Sequence, residues 1–141
     1  MQTINNREDI SKLVDTFYSK IRKNELLGPI FNSHILEEQW SEHLKKLTDF
    51  WETNVLGIAM YKGNPSAKHI NVDKNVGHII EPKHFGVWLQ LWFETIDQLF
   101  EGKLALKAKQ SARKMSTGQY LTIWSNRAEN MTQVDNEISK N

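Results

Sequence analysis

Residues 84–92, HFGVWLQLW, form the stretch that decides the fold. Its apolar side chains belong to a longer series at steps of three and four residues, the spacing that gathers side chains on one helix face. Glu81 and Pro82 resemble a helix start, because proline is tolerated in the first helical turn. We expect Gly102 to end this helix. The apolar stripe consists of Phe85, Trp88, Leu89, Trp92, Ile96, Leu99 and Phe100.

Two further stripes with the same spacing precede this helix. The first predicts a helix over residues 6–23 with Asn6 as its N-cap, and the second predicts a helix from about residue 37 to residue 56. Between them, residues 27–31 should break the chain at a corner with a buried Phe31, because proline cannot donate to the helical hydrogen-bond ladder. The first stripe contains Ile10, Leu13, Val14, Phe17, Tyr18 and Ile21, and the second contains Trp40, His43, Leu44, Leu47, Phe50 and Trp51.

The rest of the chain predicts one more helix, over residues 103–124. Residues 57–81 are rich in turn signals and are expected to be mostly loop, with room for one short helix around His69. No segment shows strand alternation, so the predicted class is all-α. The candidates for the buried face of the last helix are Leu104, Ala108, Ala112, Met115 and Leu121.

The composition excludes several classes of protein. A length of 141 residues fits one domain, and 18 basic side chains are mixed evenly with 17 acidic ones, so no nucleic-acid partner is indicated. The chain has no cysteine, which excludes disulfides, thiolate metal sites and covalently attached haem. No signal peptide and no apolar run of roughly 18 residues is present, so we expect a cytoplasmic protein without a membrane segment.

Three side chains with polar tips, Tyr18, His43 and Trp88, fall on apolar stripes and should point toward one interior. Each needs a hydrogen-bond partner there, and leaving one unmade costs roughly 1–3 kcal/mol. A diatomic ligand at an iron centre would accept hydrogen bonds from all of them. Taken singly, however, each is more often a core residue whose partner is a backbone carbonyl. On the residues alone both interpretations stay open.

A series of motifs favours the first interpretation. In chain order they are Phe17-Tyr18, Gly28-Pro29-Ile30-Phe31, Trp40-Ser41-Glu42-His43, Phe50-Trp51, Tyr61-Lys62-Gly63-Asn64-Pro65 followed by Lys68-His69, His84-Phe85-Gly86-Val87-Trp88-Leu89-Gln90-Leu91-Trp92, and Ala112-Arg113-Lys114-Met115. With these motifs, residues 10–124 resemble a truncated haemoglobin of the third group, and the absence of any Gly-Gly pair agrees with that group. The resemblance implies a two-over-two helical sandwich around non-covalent haem b. Residues 1–126 would then be the globin domain and residues 127–141 a polar, disordered tail.

The resemblance also implies roles for individual residues. His69 matches the proximal iron ligand, while Tyr18, His43 and Trp88 match the distal residues that stabilise a bound ligand, with His43 often a gate in this group. The apolar residues expected to line the haem are Phe31, Leu47, Phe50, Trp51, Phe85 and Trp88.

One departure from the family leaves a second candidate ligand. Residues 71–83 form a longer connection than in shorter family members, and they contain His78. His69 is favoured because the motif at residues 61–65 precedes it at the family's spacing. Of the other histidines, His84 is expected to make a contact at the helix start and His34 to be a solvated corner residue.

Two rival functions share some of these features. A di-iron carboxylate bundle needs two Glu-x-x-His motifs, and the chain has only the one formed by Glu81 and His84. A cofactor-free helical interaction domain is the stronger rival, because aromatic stripes are usually core. The colour of the purified protein separates this rival from a globin.

The resemblance further suggests a gas chemistry. Donors such as Tyr18 and Trp88 should slow oxygen release, which suits oxygen binding and storage or the oxidation of nitric oxide better than bulk transport. Nitric oxide dioxygenation or a peroxidase-like reaction would need a separate electron-donating reductase, because the chain has no flavin or nicotinamide motif.

Overall fold

The computed structural model describes residues 1–58 and 82–116 of the chain. Most of these residues are helical, and a single pair of two-residue strands accompanies the helices. The elements are β1 (Gln2–Thr3), α1 (Arg7–Lys23), α2 (Gly28–His34), a 3-10 turn (Glu37–Gln39), α3 (Trp40–Trp51), a π-helical turn (Glu52–Leu56), α4 (Pro82–Leu99), β2 (Phe100–Glu101) and α5, helical over residues 103–116.

Helix α1 forms as its sequence predicts. The Asn6 side chain accepts a hydrogen bond from the backbone N–H of Asp9 at 3.0 Å, which confirms Asn6 as the N-cap. Acidic residues in the first turn and basic residues in the last complement the helix dipole. The predicted apolar stripe is buried along its whole length, so α1 lies at the centre of the core.

The corner after α1 is itself a short helix. Its first turn accommodates Pro29, because a backbone N–H at this position would have no intrahelical partner and proline has none to lose. The Asn24 side chain accepts from the backbone N–H groups of Leu26 and Leu27, both at 3.0 Å, which orders the connection. The expectation of a buried Phe31 was wrong, since this residue is only half-buried at the edge of the core.

The second predicted helix is confirmed, with a change of winding at each end. It opens as a 3-10 turn, continues as α3 and closes as a π-helical turn that ends at Gly57. Gly57 has φ of 75°, a left-handed conformation that glycine adopts without steric cost. Arg7 of α1 bridges to Asp49 at 2.7 Å and also to Glu52, so an ion-pair cluster ties α1 to the end of α3.

Helix α4 begins at Pro82 as predicted but ends at Leu99, before Gly102. The next two residues pair in parallel with the N-terminus, Gln2 with Phe100 and Thr3 with Glu101. The prediction of no strand was therefore wrong for four residues, because a two-residue pair is too short to show alternation. Gly102, with φ of 98°, then turns the chain into α5.

Small residues let α5 approach α4 closely. Ala105, Ala108 and Ala112 are all buried, and Trp92 of α4 donates its indole N–H to the carbonyl of Ala108 at 3.1 Å. Ala108 and Ala112 confirm the predicted face, and Ala105 adds to it. The predicted Leu121, residues 59–81 of the segment predicted as mostly loop (residues 57–81) and the predicted tail lie outside the described residues.

Stacked indoles fill the centre of the molecule, where α1 packs against both α3 and α4. The ring of Trp92 stacks on Trp51 at 4.4 Å and on Trp88 at 5.8 Å, and Phe17 of α1 meets Trp88 and Trp92 edge-on. This packing fixes the inner face of α4 against α1. Among the helices in the described ranges, none is long and apolar enough to cross a membrane.

We expect Gly28→Ala to destabilise the fold by about 1–3 kcal/mol, because a Cβ at this position would lie 2.7 Å from the backbone oxygen of Arg22. Gly86→Ala is the matched control. Beyond the backbone of its own helix, no described atom lies within 4 Å of the Cβ that alanine would add there, and alanine in a helix gains roughly 0.5–1 kcal/mol over glycine. Urea unfolding of the two variants measures the difference. A Gly28→Ala variant as stable as the parent chain would contradict the close approach.

Candidate functional site

The centre of the site is the phenol of Tyr18, which faces inward from α1. The residue is 5% exposed, and its hydroxyl is hydrogen-bonded to the side chain of Trp88 on α4. The indole N–H is a donor only, so the tyrosine oxygen is the acceptor. Burial raises the pKa of Tyr18 to about 12, while the Trp88 hydrogen bond acts in the opposite direction. Tyr18 is therefore a neutral phenol at physiological pH and keeps its proton.

The hydroxyl hydrogen of Tyr18 is available for a further hydrogen bond. A hydroxyl that accepts from Trp88 still has one hydrogen to donate, and no acceptor for it lies among the described residues. Phe17 meets the Tyr18 ring edge-on at 4.8 Å and thereby restricts its orientation. The pair Tyr18 and Trp88 can thus present one oriented O–H donor to a small acceptor.

His43 lies one turn into α3, next to Tyr18. It is half-buried, and its ring is nearly perpendicular to that of Tyr18, with centroids 6.2 Å apart. The structure therefore brings the three predicted distal residues together, with Tyr18 touching both of the others.

Trp40 belongs to this cluster although the sequence did not mark it as a site residue. Its ring contacts Tyr18 at 6.2 Å and His43 at 5.5 Å, and the guanidinium of Arg22 lies over its face at 4.5 Å. The residue is 4% exposed, and its indole nitrogen has no hydrogen-bond partner among the described residues. Its position three residues before His43 on one helical stripe was the available signal.

The predicted lining residues divide into two kinds. The first kind are half-buried side chains, namely Phe31, Leu47, Phe50, Phe85 and Trp88. The ring of Phe31 meets that of Tyr18 edge-on, with centroids 6.0 Å apart. Trp51 is different, since it is 1% exposed and stacked on Trp92 inside the core.

These residues fit a haem. A porphyrin is held by apolar side chains that the chain itself leaves incompletely covered, and these half-buried residues are of that kind. A donor such as the Tyr18 hydroxyl can stabilise a ligand bound to its iron.

The two candidate iron ligands, His69 and His78, lie outside the described residues. Within residues 1–58 and 82–116, no group of three metal-binding side chains occurs, although a haem iron needs only one protein ligand. His84 is buried in the first turn of α4, where a contact at the helix start was predicted, and His34 is half-buried rather than fully solvated.

Comparison with known proteins identifies the fold and the family. No protein-family model matches the chain. The group 3 truncated haemoglobin ctb of Campylobacter jejuni subsp. jejuni is 33% identical over 114 residues, which cover 79% of this chain and 86% of that protein. The crystal structure of the group III truncated haemoglobin from Campylobacter jejuni superposes with a TM-score of 0.76 and 32% identity, covering 86% of this chain and 95% of that one.

The curated relative and the solved structure are both truncated haemoglobins of the third group. The predicted truncated-globin fold and the predicted family are both confirmed, and this chain belongs to the group III truncated haemoglobins.

Proposed function

We propose that this chain binds haem b non-covalently through His69 and holds a diatomic gas, O2, NO or CO, beside Tyr18, His43 and Trp88. The observation that carries the proposal is the buried hydroxyl of Tyr18, which accepts from Trp88 and keeps its own hydrogen for another acceptor. Membership of the truncated haemoglobins supports the cofactor and the class of ligand. The protein would act in the cytoplasm.

The apolar residues of the site would hold the porphyrin and exclude water. Phe31, Leu47, Phe50 and Phe85 leave part of their surface uncovered by the chain, and covering it contributes roughly 25 cal/mol per Å² of apolar surface. Trp51 would act from behind this surface, through its stack on Trp92. When bound, the haem supplies the iron that takes up the gas and changes oxidation state.

The polar residues would control how long the gas stays. A bound gas with partial negative charge accepts a hydrogen bond from the Tyr18 hydroxyl in a pocket with little water, where such a bond is strong. The donation from Trp88 to the phenol oxygen increases the polarity of the Tyr18 O–H bond, because linked hydrogen bonds polarise one another. The half-buried His43 would add a second adjustable group at the same place.

Slow release of oxygen suits two activities, oxygen binding with storage and nitric oxide dioxygenation. In the second, NO, O2 and one electron give nitrate, and a separate reductase would supply the electron. A peroxidase-like reaction would use the same donors. A cofactor-free interaction domain remains the alternative that a missing haem would favour.

The first prediction is that the purified protein is coloured. The ferrous form should show a strong Soret band that shifts on addition of CO, because a haem with an open coordination position binds this gas. An absorption spectrum with and without CO is the measurement. A helical but colourless protein that also fails to take up added hemin would refute the proposed function.

The second prediction concerns the distal donors. Tyr18→Phe and Trp88→Phe should each speed oxygen dissociation by about tenfold or more, because each removes a hydrogen bond worth roughly 1–3 kcal/mol in a buried site. Stopped-flow displacement of O2 by CO measures the rate. Trp92→Phe is the matched control on the same helix, since its N–H binds the carbonyl of Ala108. Equal rates in all variants would remove Tyr18 and Trp88 from the site.

The third prediction distinguishes the two candidate iron ligands. His69→Gly should lose tight haem retention, and added imidazole should restore it, because free imidazole can fill the space of the missing ring. His78→Gly should leave the ferrous spectrum unchanged. The opposite result would assign the iron to His78.

A further inference from the structure

We propose that Trp40 is a positioning residue for His43: its buried indole N–H donates a hydrogen bond to an imidazole nitrogen when the His43 ring turns, and so gives this ring a second resting position. The starting point is that Trp40 is buried while its Nε1 lacks a hydrogen-bond partner among the described residues. Buried N–H groups are nearly always paired, so a lone one needs a physical reason. Two other indoles of the same core, Trp88 and Trp92, are paired.

The indole ring itself is held in place. The guanidinium of Arg22 lies over its face at 4.5 Å, and Arg22 is fixed in turn by Asn32, whose side-chain oxygen accepts at 3.2 Å, and by an ion pair with Glu37. Tyr18 packs on Trp40 from α1. An acceptor must therefore come to the indole, because the indole is confined.

Among the described residues, His43 is a nearby side chain that can do this. It lies three residues after Trp40, hence on the same face of α3, and its ring meets the indole at 89° with centroids 5.5 Å apart. A neutral imidazole has one nitrogen that accepts a hydrogen bond. Turning this half-buried ring would replace the edge contact by an N–H···N bond. In the position that the structure shows, the ring is edge-on to Tyr18.

The functional consequence rests on the proposed haem function. With both resting positions available, His43 can leave the phenol of Tyr18 and admit a gas. Without the indole N–H, the turned position loses this hydrogen bond, and the ring stays against Tyr18 for a larger share of the time. A single hydrogen bond of ordinary strength changes the ratio of two such positions by roughly three- to tenfold.

Trp40→Phe tests this, since it keeps an aromatic ring under Arg22 and removes the N–H. His43→Phe is the matched variant, because it keeps an aromatic ring at the edge of Trp40 and removes the acceptor nitrogen. After flash photolysis of the ferrous CO form, we expect Trp40→Phe to slow CO association about three- to tenfold in the parent protein. In a His43→Phe background the same substitution should have no effect, and the double-mutant cycle measures the coupling.

A second readout observes the hydrogen bond directly. In the ferrous CO protein, the indole N–H resonance of Trp40, assigned by its loss in Trp40→Phe, should exchange with solvent about three- to tenfold faster in His43→Phe, and that of Trp92 should not change. Exchange that is insensitive to His43→Phe, or additive association rates in the cycle, would overturn the proposal. A protein that takes up no haem would instead refute the proposed function, so the two failures differ.

Discussion

The hydrogen bond from Trp88 to the hydroxyl of Tyr18 joins two helices that are distant in sequence, α1 and α4, inside the core. Removing either partner would lower the stability of the fold, because an unpaired hydroxyl or N–H costs more folding free energy inside the protein than on its surface. The bond also orients the phenol. Its oxygen accepts from Trp88, burial keeps its pKa high, and its own hydrogen remains to be donated. The position of α4 against α1 thus decides where the hydroxyl hydrogen of Tyr18 points.

Packing around this bond explains why the two helices keep that position. Phe17 contacts Tyr18, Trp88 and Trp92 edge-on, so one ring next to the phenol holds both indoles of α4. Trp92 is in turn anchored to α5 through the Ala108 carbonyl and stacked on Trp51 of α3. Edge-on and offset contacts between aromatic rings have preferred geometries, which makes the arrangement more specific than aliphatic packing.

Helical periodicity predicted the helices because each buries one face, and a buried face shows in the sequence as a repeat of three or four. The start of α4 at Pro82 and the cap at Asn6 followed from local chemistry of the same kind. The pairing of Gln2–Thr3 with Phe100–Glu101 could not be predicted, because two residues carry no period and their partners lie far apart in the chain.

The residues of the site were predictable to a different degree than the helices. That Tyr18, His43 and Trp88 face one interior followed from their stripes, whereas their roles came from family motifs. Which of these residues touch depends on how the helices pack. Trp40 was not predicted as a site residue, because an indole on an apolar stripe is normally a core residue whose N–H is paired.

The polar residues of the site come from separate helices. Their arrangement therefore depends on how all of these helices pack. Tyr18 belongs to α1, His43 and Trp40 to α3, and Trp88 to α4. A shift of α3 along α1 would move His43 and Trp40 together and preserve their contact, but it would change the distance from both to the phenol. The contacts of Arg7 with Asp49 and Glu52 oppose such a shift at one end of α3, and the stack of Arg22 on Trp40 opposes it at the other. Two arginines of α1 therefore contact the two ends of the segment that carries the imidazole.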